Sequence, residues 1–295
     1  MKPVAKPLTL PVIAPTGEEW RAMTPAERER LLVEINAMLS DPREAMTEGR
    51  RHKKAKTRTI DALGLHFRSI GRPIYLAEEM SVLYPGEAVF TPDVLAVLDV
   101  VEPEDDPRLA WVVEDEGKGL DLVIEVLHHG DRKKDLVTNV DRYASLGIPE
   151  YFVYDRLNQQ IYGYRLPDTG ARRYRRIVPQ FGRHSSGVLG LDLAIVEGKL
   201  RFFYGQAELP ETADLIDRLN SMVADLEAKA EGAQTRAEQA LSGLREGIVT
   251  LLEARGVPCS DEHRTHLFSC TDTGTLQRWL LRATTAGTAE EVFSG

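Results

Sequence analysis

The sequence has little cysteine and no long hydrophobic run. Its 295 residues include two cysteines, Cys259 and Cys270, which are too few for a disulfide framework and are typical of a protein that folds in a reducing compartment. The first stretch, MKPVAKPLTLPVIAP, lacks the apolar core of a signal peptide because prolines interrupt it. No run is long enough to cross a bilayer. We therefore expect a cytoplasmic protein with no membrane partner.

Positive charge is outnumbered by negative charge, 37 Lys and Arg against 46 Asp and Glu, and it is unevenly distributed. The net charge is −9, and residues 201–295 hold 9 Lys and Arg against 15 Asp and Glu. Two basic clusters lie upstream, and such clusters attract phosphate backbones even on an acidic protein. They predict a nucleic-acid partner, although two solvated surfaces would have the same pattern. The candidate contacts are Arg50, Arg51, Lys53, Lys54, Arg172, Arg173, Arg175 and Arg176.

Helical signals appear first. A capping box that begins at Thr24 predicts a helix over 25–38. A second helix is expected over 51–69, and its opening turns carry the first basic cluster. Its apolar stripe consists of Ile60, Leu63, Phe67 and Ile70.

Strand signals follow. PIYLAEEMSVLY, VFTPDVLAVLDV and the run that begins at Leu122 are typical of strands. Asp131 is a candidate cap for a helix over 132–146, and the strand EYFVYD comes next, so 121–155 forms a β-α-β unit with two parallel strands. Two antiparallel hairpins complete the pattern, the second turning at Glu197-Gly198. The predicted fold class is α/β, a mixed sheet flanked by helices.

The pattern changes near residue 210. Apolar residues then step mostly by three and four, which predicts a long helix or coiled coil and, through it, a homodimer; a helical hairpin is the alternative. The residues in this seam are Leu215, Leu219, Met222, Leu226, Ala233, Ala240, Leu244, Ile248 and Leu251. The expected domains are an N-terminal helical extension (1–44), a core (45–207), the long helix (208–255) and a small helical cap (256–295).

Two carboxylates lie beside apolar strand runs. Glu125 is inside LVIEVL, where a charge is costly unless something binds it, and Asp93 directly precedes VLAVL. If neighbouring strands bring them together, they need a cation or a shared proton. A hard divalent metal with a substrate phosphate meets that need. A structural hydrogen-bond role is the alternative for either acid.

The motifs around these acids resemble one family. YPGEAVFTPDVLAVLDV, DLVIEVLHHGDRKKDLVTNVDRYASLGIPEYFVYD, IYGYRL and LGLDL are similar to the Uma family of restriction endonucleases, within the PD-(D/E)xK nuclease superfamily. The resemblance covers about 45–205. It implies a restriction-endonuclease-like core that cleaves DNA with Mg2+ or Mn2+, held by Asp93, Glu125 and the carbonyl of Val126.

The sequence departs from that family where the catalytic lysine is expected. Leu127 stands two residues after Glu125, and Asn139 stands where a helix lysine is common in such proteins. On a regular helix, Arg132 and Asp135 share the face of Asn139, so all three are candidate catalytic residues.

Other polar residues flank these positions. Lys133 and Lys134 point elsewhere on such a helix, toward DNA phosphates or solvent. His128 and His129 are alternative proton carriers. One of Glu78 and Glu79 is expected to face Asp93. The leading hypothesis is a metal-dependent endonuclease, and the alternative is a catalytically impaired protein of the same fold that binds nucleic acid or acts as an oligomeric scaffold.

Overall fold

The computed structural model describes residues 11–39, 50–127 and 132–294, without the side chains of Arg50 and Arg51. The expected cap Asp131 and the candidates His128 and His129 lie outside these residues. The chain divides into two compact units, residues 1–214 and 215–295. No helix in the described ranges is both long and apolar enough to cross a membrane.

The first unit alternates helices and strands. Its helices are α1 (Gly17–Ala22), α2 (Pro25–Leu39), α3 (Arg50–Ser69), α4 (Val113–Glu116) and α5 (Asn139–Ser145), with a π-helical turn over Lys134–Thr138 before α5. Its strands are β1 (Ile74–Glu78), β2 (Val82–Leu83), β3 (Val94–Leu98), β4 (Trp111–Val112), β5 (Leu122–Leu127), β6 (Glu150–Asp155), β7 (Gln160–Arg165), β8 (Arg175–Ile177), β9 (His184–Ser186), β10 (Leu191–Val196), β11 (Lys199–Tyr204) and β12 (Ala207–Glu208).

A six-stranded sheet in the order β1-β3-β5-β6-β7-β8 forms the centre of this unit. Strands β5 and β6 are parallel, as the β-α-β pattern predicts, and the other pairs in the sheet are antiparallel. A second sheet in the order β12-β11-β10-β9 includes the hairpin that turns at Glu197 and Gly198, both at positive φ. The mixed α/β fold is confirmed.

The two faces of the six-stranded sheet are covered differently. On one face, Leu63 and Phe67 of α3 pack with Ile124 of β5 and with Leu193 of the second sheet. On the other face, Tyr143 of α5 packs with Val123, Leu127 and Tyr151, among others. All six residues of β5 are buried, as expected for a strand covered on both faces. Glu125 alternates with Ile124 and therefore points toward α5.

Three elements differ from the sequence-based prediction. The segment PIYLAEEMSVLY is two strands in different sheets, because Glu79 adopts a left-handed φ of 53° and ends the run after β1. The expected regular helix over 132–146 contains the π-turn. Helix α3 ends at Ser69, which leaves Ile70 exposed and outside the apolar stripe.

The second unit begins within a single long helix. Helix α6 spans Thr212–Ala254 without a break, so this segment is one helix and not a helical hairpin. Helices α7 (Asp261–Ser269), α8 (Thr273–Ala283) and α9 (Ala289–Phe293) follow. Their buried side chains, including Leu276 and Trp279, pack with Ile248 and Leu252 at the end of α6. These side chains form a small hydrophobic core of their own.

Candidate active site

Asp93 and Glu125 lie side by side because β3 and β5 are antiparallel. Val94 pairs with Ile124, so the next pair in the same register is Asp93 with Glu125. The Asp93 backbone N–H donates to Glu125 Oε2 at 3.1 Å, and the Val126 backbone N–H donates to Asp93 Oδ2 at 2.7 Å. Each carboxylate is therefore fixed by the backbone of the other strand.

Tyr143 holds the second oxygen of Glu125. Tyr143 lies on helix α5, and its hydroxyl donates to Glu125 Oε1 at 2.9 Å on the face of the sheet that α5 covers. Burial raises the pKa of Tyr143, and the neighbouring Glu125 raises it further. The phenol therefore stays protonated and remains a donor to this carboxylate.

The charge of Glu125 is poorly compensated. The residue is 6% exposed. Burial raises the pKa of Glu125 well above its usual value, and repulsion from Asp93 and then Asp135 raises it further. A buried carboxylate close to two other acids favours either a bound proton or a cation.

Helix α3 brings a lysine to the same place. Lys56 is 1% exposed, and its Nζ lies 3.8 Å from Asp93 Oδ1. The same Nζ forms an ion pair with Glu79 Oε1. One turn earlier on α3, the Nε2 of His52 is 3.4 Å from Asp93 Oδ2. Of the two acids expected near Asp93, Glu79 is the one joined to it through Lys56, whereas Glu78 is 3.4 Å from the hydroxyl of Thr57.

The helical candidates after β5 are divided by the π-turn. Asn139 is buried and donates to Asp135 Oδ1 at 3.1 Å, so these two share a face. The Tyr151 hydroxyl donates to the Asp135 carbonyl at 2.9 Å, within the turn where regular helical hydrogen bonds are broken. The guanidinium of Arg132 pairs instead with the buried Asp155 and donates to the Tyr162 hydroxyl at 3.2 Å.

The candidate nucleic-acid contacts are exposed wherever their side chains are described, but they differ in what they touch. Exposed side chains are those of Lys53, Lys54, Lys133, Lys134, Arg172, Arg173, Arg175 and Arg176; those of Arg50 and Arg51 lie outside the described part. Arg175 and Arg176 line an open groove of about 840 Å³ with Arg165 and Arg183. Arg176 also lies over the Tyr162 ring, 5.6 Å from its centroid. Arg172 donates to the carbonyl of Ala171 at 2.8 Å, in its own loop.

Sequence reasoning missed the part of the site that α3 provides. It did not connect Lys56, His52 or Tyr143 with the two acids. A signal was available: positions 52, 56, 60, 63 and 67 follow the three-and-four spacing of the apolar stripe. A lysine and a histidine on the buried face of a helix are candidates for a site, because neither is stable there without a partner.

The donors present fit a hard divalent cation. In the described ranges, no group of three or more His, Cys, Asp and Glu side chains is arranged to hold a metal. Mg2+, however, commonly takes only one or two carboxylates and completes its coordination with waters and substrate phosphate. Asp93 and Glu125 supply two such oxygen donors, and their mutual repulsion is what a cation would relieve.

Comparison with known proteins gives a family and a structural neighbour. The model of the Uma2 family, described as “Putative restriction endonuclease”, matches residues 42–196, more than half of the chain. A crystal structure described as a putative nuclease belonging to DUF820, from Anabaena variabilis, is similar over 45% of this chain and 73% of its own, at 13% identity and a TM-score of 0.35. No curated protein matches.

Proposed function

The chain belongs to the Uma2 restriction endonuclease family, and on that premise we propose that it is a Mg2+- or Mn2+-dependent nuclease that hydrolyses phosphodiester bonds in DNA. One observation carries the proposal. Asp93 and Glu125 are fixed against each other on the adjacent inner strands β3 and β5, and the pKa of Glu125 is raised by burial and by that proximity. Such a pair costs stability unless a bound proton or a cation offsets the repulsion, and a metal beside a substrate phosphate is the cation that a nuclease would use.

Asp93, Glu125 and the carbonyl of Val126 would hold the metal. The chemistry that bound Mg2+ supplies is polarisation of the phosphate and a lowered pKa of an attacking water. The protein fixes the ligands beforehand: Tyr143 and the Asp93 N–H orient Glu125, and the Val126 N–H orients Asp93. Asp135 and Asn139 line the adjacent helix and extend the polar surface beside the two carboxylates.

DNA binding is supported by the exposed cations around the sheet. The groove of Arg175, Arg176 and Arg183 carries several positive charges with few acids. Lys53 and Lys54 are on the helix that also carries Lys56. Such residues would contact phosphates without reading the base sequence. These contacts would therefore provide affinity for DNA but no preference for a particular cleavage sequence.

Metal-dependent cleavage is the direct test. Supercoiled DNA would be incubated with the full chain in Mg2+ or in EDTA, beside Asp93→Asn, Glu125→Gln and the control Asp141→Asn. Asp141 is an exposed acid on α5, so its loss should be neutral. We expect cleavage by the parent and by the control, in Mg2+ only, and none by the two site variants.

Metal binding can be followed independently of cleavage. Mg2+ or Mn2+ should raise the melting temperature of the parent through linkage. The double variant Asp93→Asn/Glu125→Gln should lose that response. A parent that cleaves equally well in EDTA, or an unchanged metal response in the double variant, would refute the proposed site.

The second proposal concerns assembly. Helix α6 carries a heptad pattern at positions 216, 219, 223, 226, 230, 233, 237, 240 and 244. Its larger side chains Ile216, Leu219, Val223 and Leu226 are 52–63% exposed. A seam that repeats every seven residues is matched by a second helix with the same repeat. The chain itself supplies that helix, which supports a homodimer.

A further inference from the structure

We propose that Lys56 is a catalytic residue, the cation that lies against the scissile phosphate beside Asp93. This role rests on the nuclease function proposed above. The lysines that the family resemblance leads one to expect are replaced by Leu127 and Asn139. The structure brings a lysine to the carboxylates from a different element, helix α3.

Lys56 is unusually buried for a lysine. Lysine is seldom fully buried unless it is paired, yet this side chain is 1% exposed while Lys53 and Lys54 on the same helix are exposed. Lys56 is four residues before Ile60 on the inward stripe of α3, so its stem follows the buried face and its ammonium ends beside Glu79 and Asp93. The charge is thus directed into the site and away from bulk solvent.

The ammonium of Lys56 lies beside two acids. At 3.8 Å, the contact with Asp93 Oδ1 is an ion pair and not a hydrogen bond. The closer partner is Glu79, whose own side chain is 55% exposed. Lys56 is therefore next to a proposed metal ligand, and of these two acids the closer one lies outside the Asp93–Glu125 pair. A phosphate bound at that pair would lie within reach of the ammonium.

Glu79, the acid that pairs with Lys56, has a strained backbone. Glu79 has a φ of 53°, which costs a non-glycine residue energy. Its backbone N–H points at the carbonyls of Pro92 and Asp93, at 3.2 and 3.3 Å. The strained residue thus links Lys56 to the segment that carries Asp93. We assign Glu79 as a positioning residue that holds the ammonium near Asp93 until a phosphate arrives.

The role of Lys56 is that of a fixed charge. An ammonium beside the phosphate stabilises the negative charge that develops as the phosphorus–oxygen bond breaks, and charge stabilisation of this kind is worth about 10²–10³ in rate. No proton transfer by Lys56 is needed. The metal-binding carboxylates and the cation would then come from separate elements, β3 and β5 on one side and α3 on the other.

The test uses the full chain and three variants. Lys56→Met removes the charge and keeps the length of the side chain, Lys56→Arg keeps the charge, and Arg68→Met, which removes an exposed cation near the other end of α3, is the control. We expect single-turnover cleavage with saturating Mg2+ to fall about 10²–10³-fold in Lys56→Met. It should recover in part in Lys56→Arg and stay at the parental rate in Arg68→Met.

Metal affinity separates catalysis from folding. Removal of a positive charge next to Asp93 should leave Mg2+ binding, measured by calorimetry, as tight as in the parent or tighter. The double variant Lys56→Met/Glu79→Gln removes both charges of the ion pair and so addresses a purely structural role. If Lys56 is catalytic, the double variant folds, binds Mg2+ and remains inactive.

The outcomes are distinct. If Lys56→Met, or the double variant, binds Mg2+ and cleaves at close to the parental rate, Lys56 is structural and the nuclease function stands. If Lys56→Met fails to fold but the double variant folds and is inactive, the catalytic role stands. If the parent cleaves no faster than Glu125→Gln, the proposed function fails and the role of Lys56 fails with it.

Discussion

At the scale of single residues, Glu125 has the environment least suited to its type. It occupies a strand buried on both faces, and its two oxygens accept from Tyr143 and from the Asp93 backbone. These donors orient the carboxylate but do not neutralise it, because Asp93 and Asp135 add negative charge. We infer that this arrangement makes the metal-free protein less stable and that a bound cation would offset the cost.

Glu125→Gln should therefore stabilise the metal-free protein. Glutamine keeps an acceptor oxygen and removes the buried charge, and the gain should be about 1 kcal/mol or more, roughly 2–4 °C in melting temperature. Because the pKa of Glu125 is raised, the parent loses stability relative to the unfolded chain as the pH rises above the usual carboxyl value of 4.5. The advantage of the variant should shrink as the pH falls toward that value.

Urea unfolding in EDTA at several pH values would measure this effect. Asp141→Asn, which removes an exposed acid, is the control and should give no comparable gain. A variant that is less stable than the parent at neutral pH would mean that the hydrogen bonds of Glu125 outweigh its charge.

Arg132 has a structural environment in spite of its position near the site. It pairs with Asp155, which is 0% exposed. Burial alone would raise the pKa of Asp155, but hydrogen bonds from Asn158 and the ion pair with Arg132 lower it below its usual value. Arg132→Ala should therefore lower the melting temperature at neutral pH and leave cleavage close to that of Lys133→Ala.

The pH dependence of stability shows whether the ion pair with Asp155 is responsible for the stabilisation by Arg132. A depressed carboxyl pKa stabilises the fold above the usual value of 3.8, and that contribution is lost as the pH falls through the lower, folded value. The stability difference between the parent and Arg132→Ala should disappear in strong acid. Arg132→Ala with parental stability and no cleavage would instead place its guanidinium in the catalytic site.

At the scale of elements, helix α3 has two chemically different ends and faces. Its inward stripe passes from apolar residues such as Leu63 and Phe67 to Lys56, while Lys53 and Lys54 face outward. One basic stretch of sequence therefore contributes both to the site and to the surface. The outward-facing Lys53 and Lys54 form one positive surface, and the arginines of strand β8 form another. We expect both surfaces to bind DNA.

The β8 surface can be tested as one unit. Replacement of Arg172, Arg173, Arg175 and Arg176 by Ala should weaken DNA binding alike for all sequences. It should also reduce the salt dependence of log K by about 0.9 for each DNA phosphate that the variant no longer neutralises. Arg218→Ala/Arg236→Ala, on the exposed surface of α6, is the control. Fluorescence anisotropy at several salt concentrations in EDTA would measure both quantities, and an unchanged slope would show that the cluster is only solvated.

At the scale of the whole molecule, the chain combines two units with separate hydrophobic cores. In the second unit, α6 exposes apolar side chains along its first half. An exposed stripe of this kind is a marker of association. Dimerisation would place two sheet units in one particle.

Leu219→Glu/Leu226→Glu should convert a dimer to a folded monomer, since both positions lie on the heptad seam. The control Ser221→Glu/Ala228→Glu adds the same charge at exposed positions on the opposite side of the helix and should remain dimeric. Light scattering coupled to gel filtration would give the masses. A monomeric parent would contradict the proposed dimer.

The sequence by itself determined the features that depend on near neighbours. Alternation and apolar runs specified β3, β5 and β6, and the spacing of one β-α-β unit specified that β5 and β6 are parallel. The capping box at Thr24 specified where α2 begins, and its hydrogen bonds to Glu27 are present. The acids Asp93 and Glu125 were also recognisable, because a charge inside an apolar strand run or directly before one is conspicuous in any fold.

The tertiary structure alone decided which charges meet. Lys56 reaches Asp93 across 37 residues of sequence (93 − 56) because α3 packs against the sheet, and Arg132 pairs with Asp155 from the neighbouring strand β6. The π-turn at Lys134–Thr138 also broke the helical spacing that had placed Arg132 beside Asn139. Periodicity predicts the face on which a side chain lies, but ion pairing depends on the distance between elements, which packing of the whole core sets.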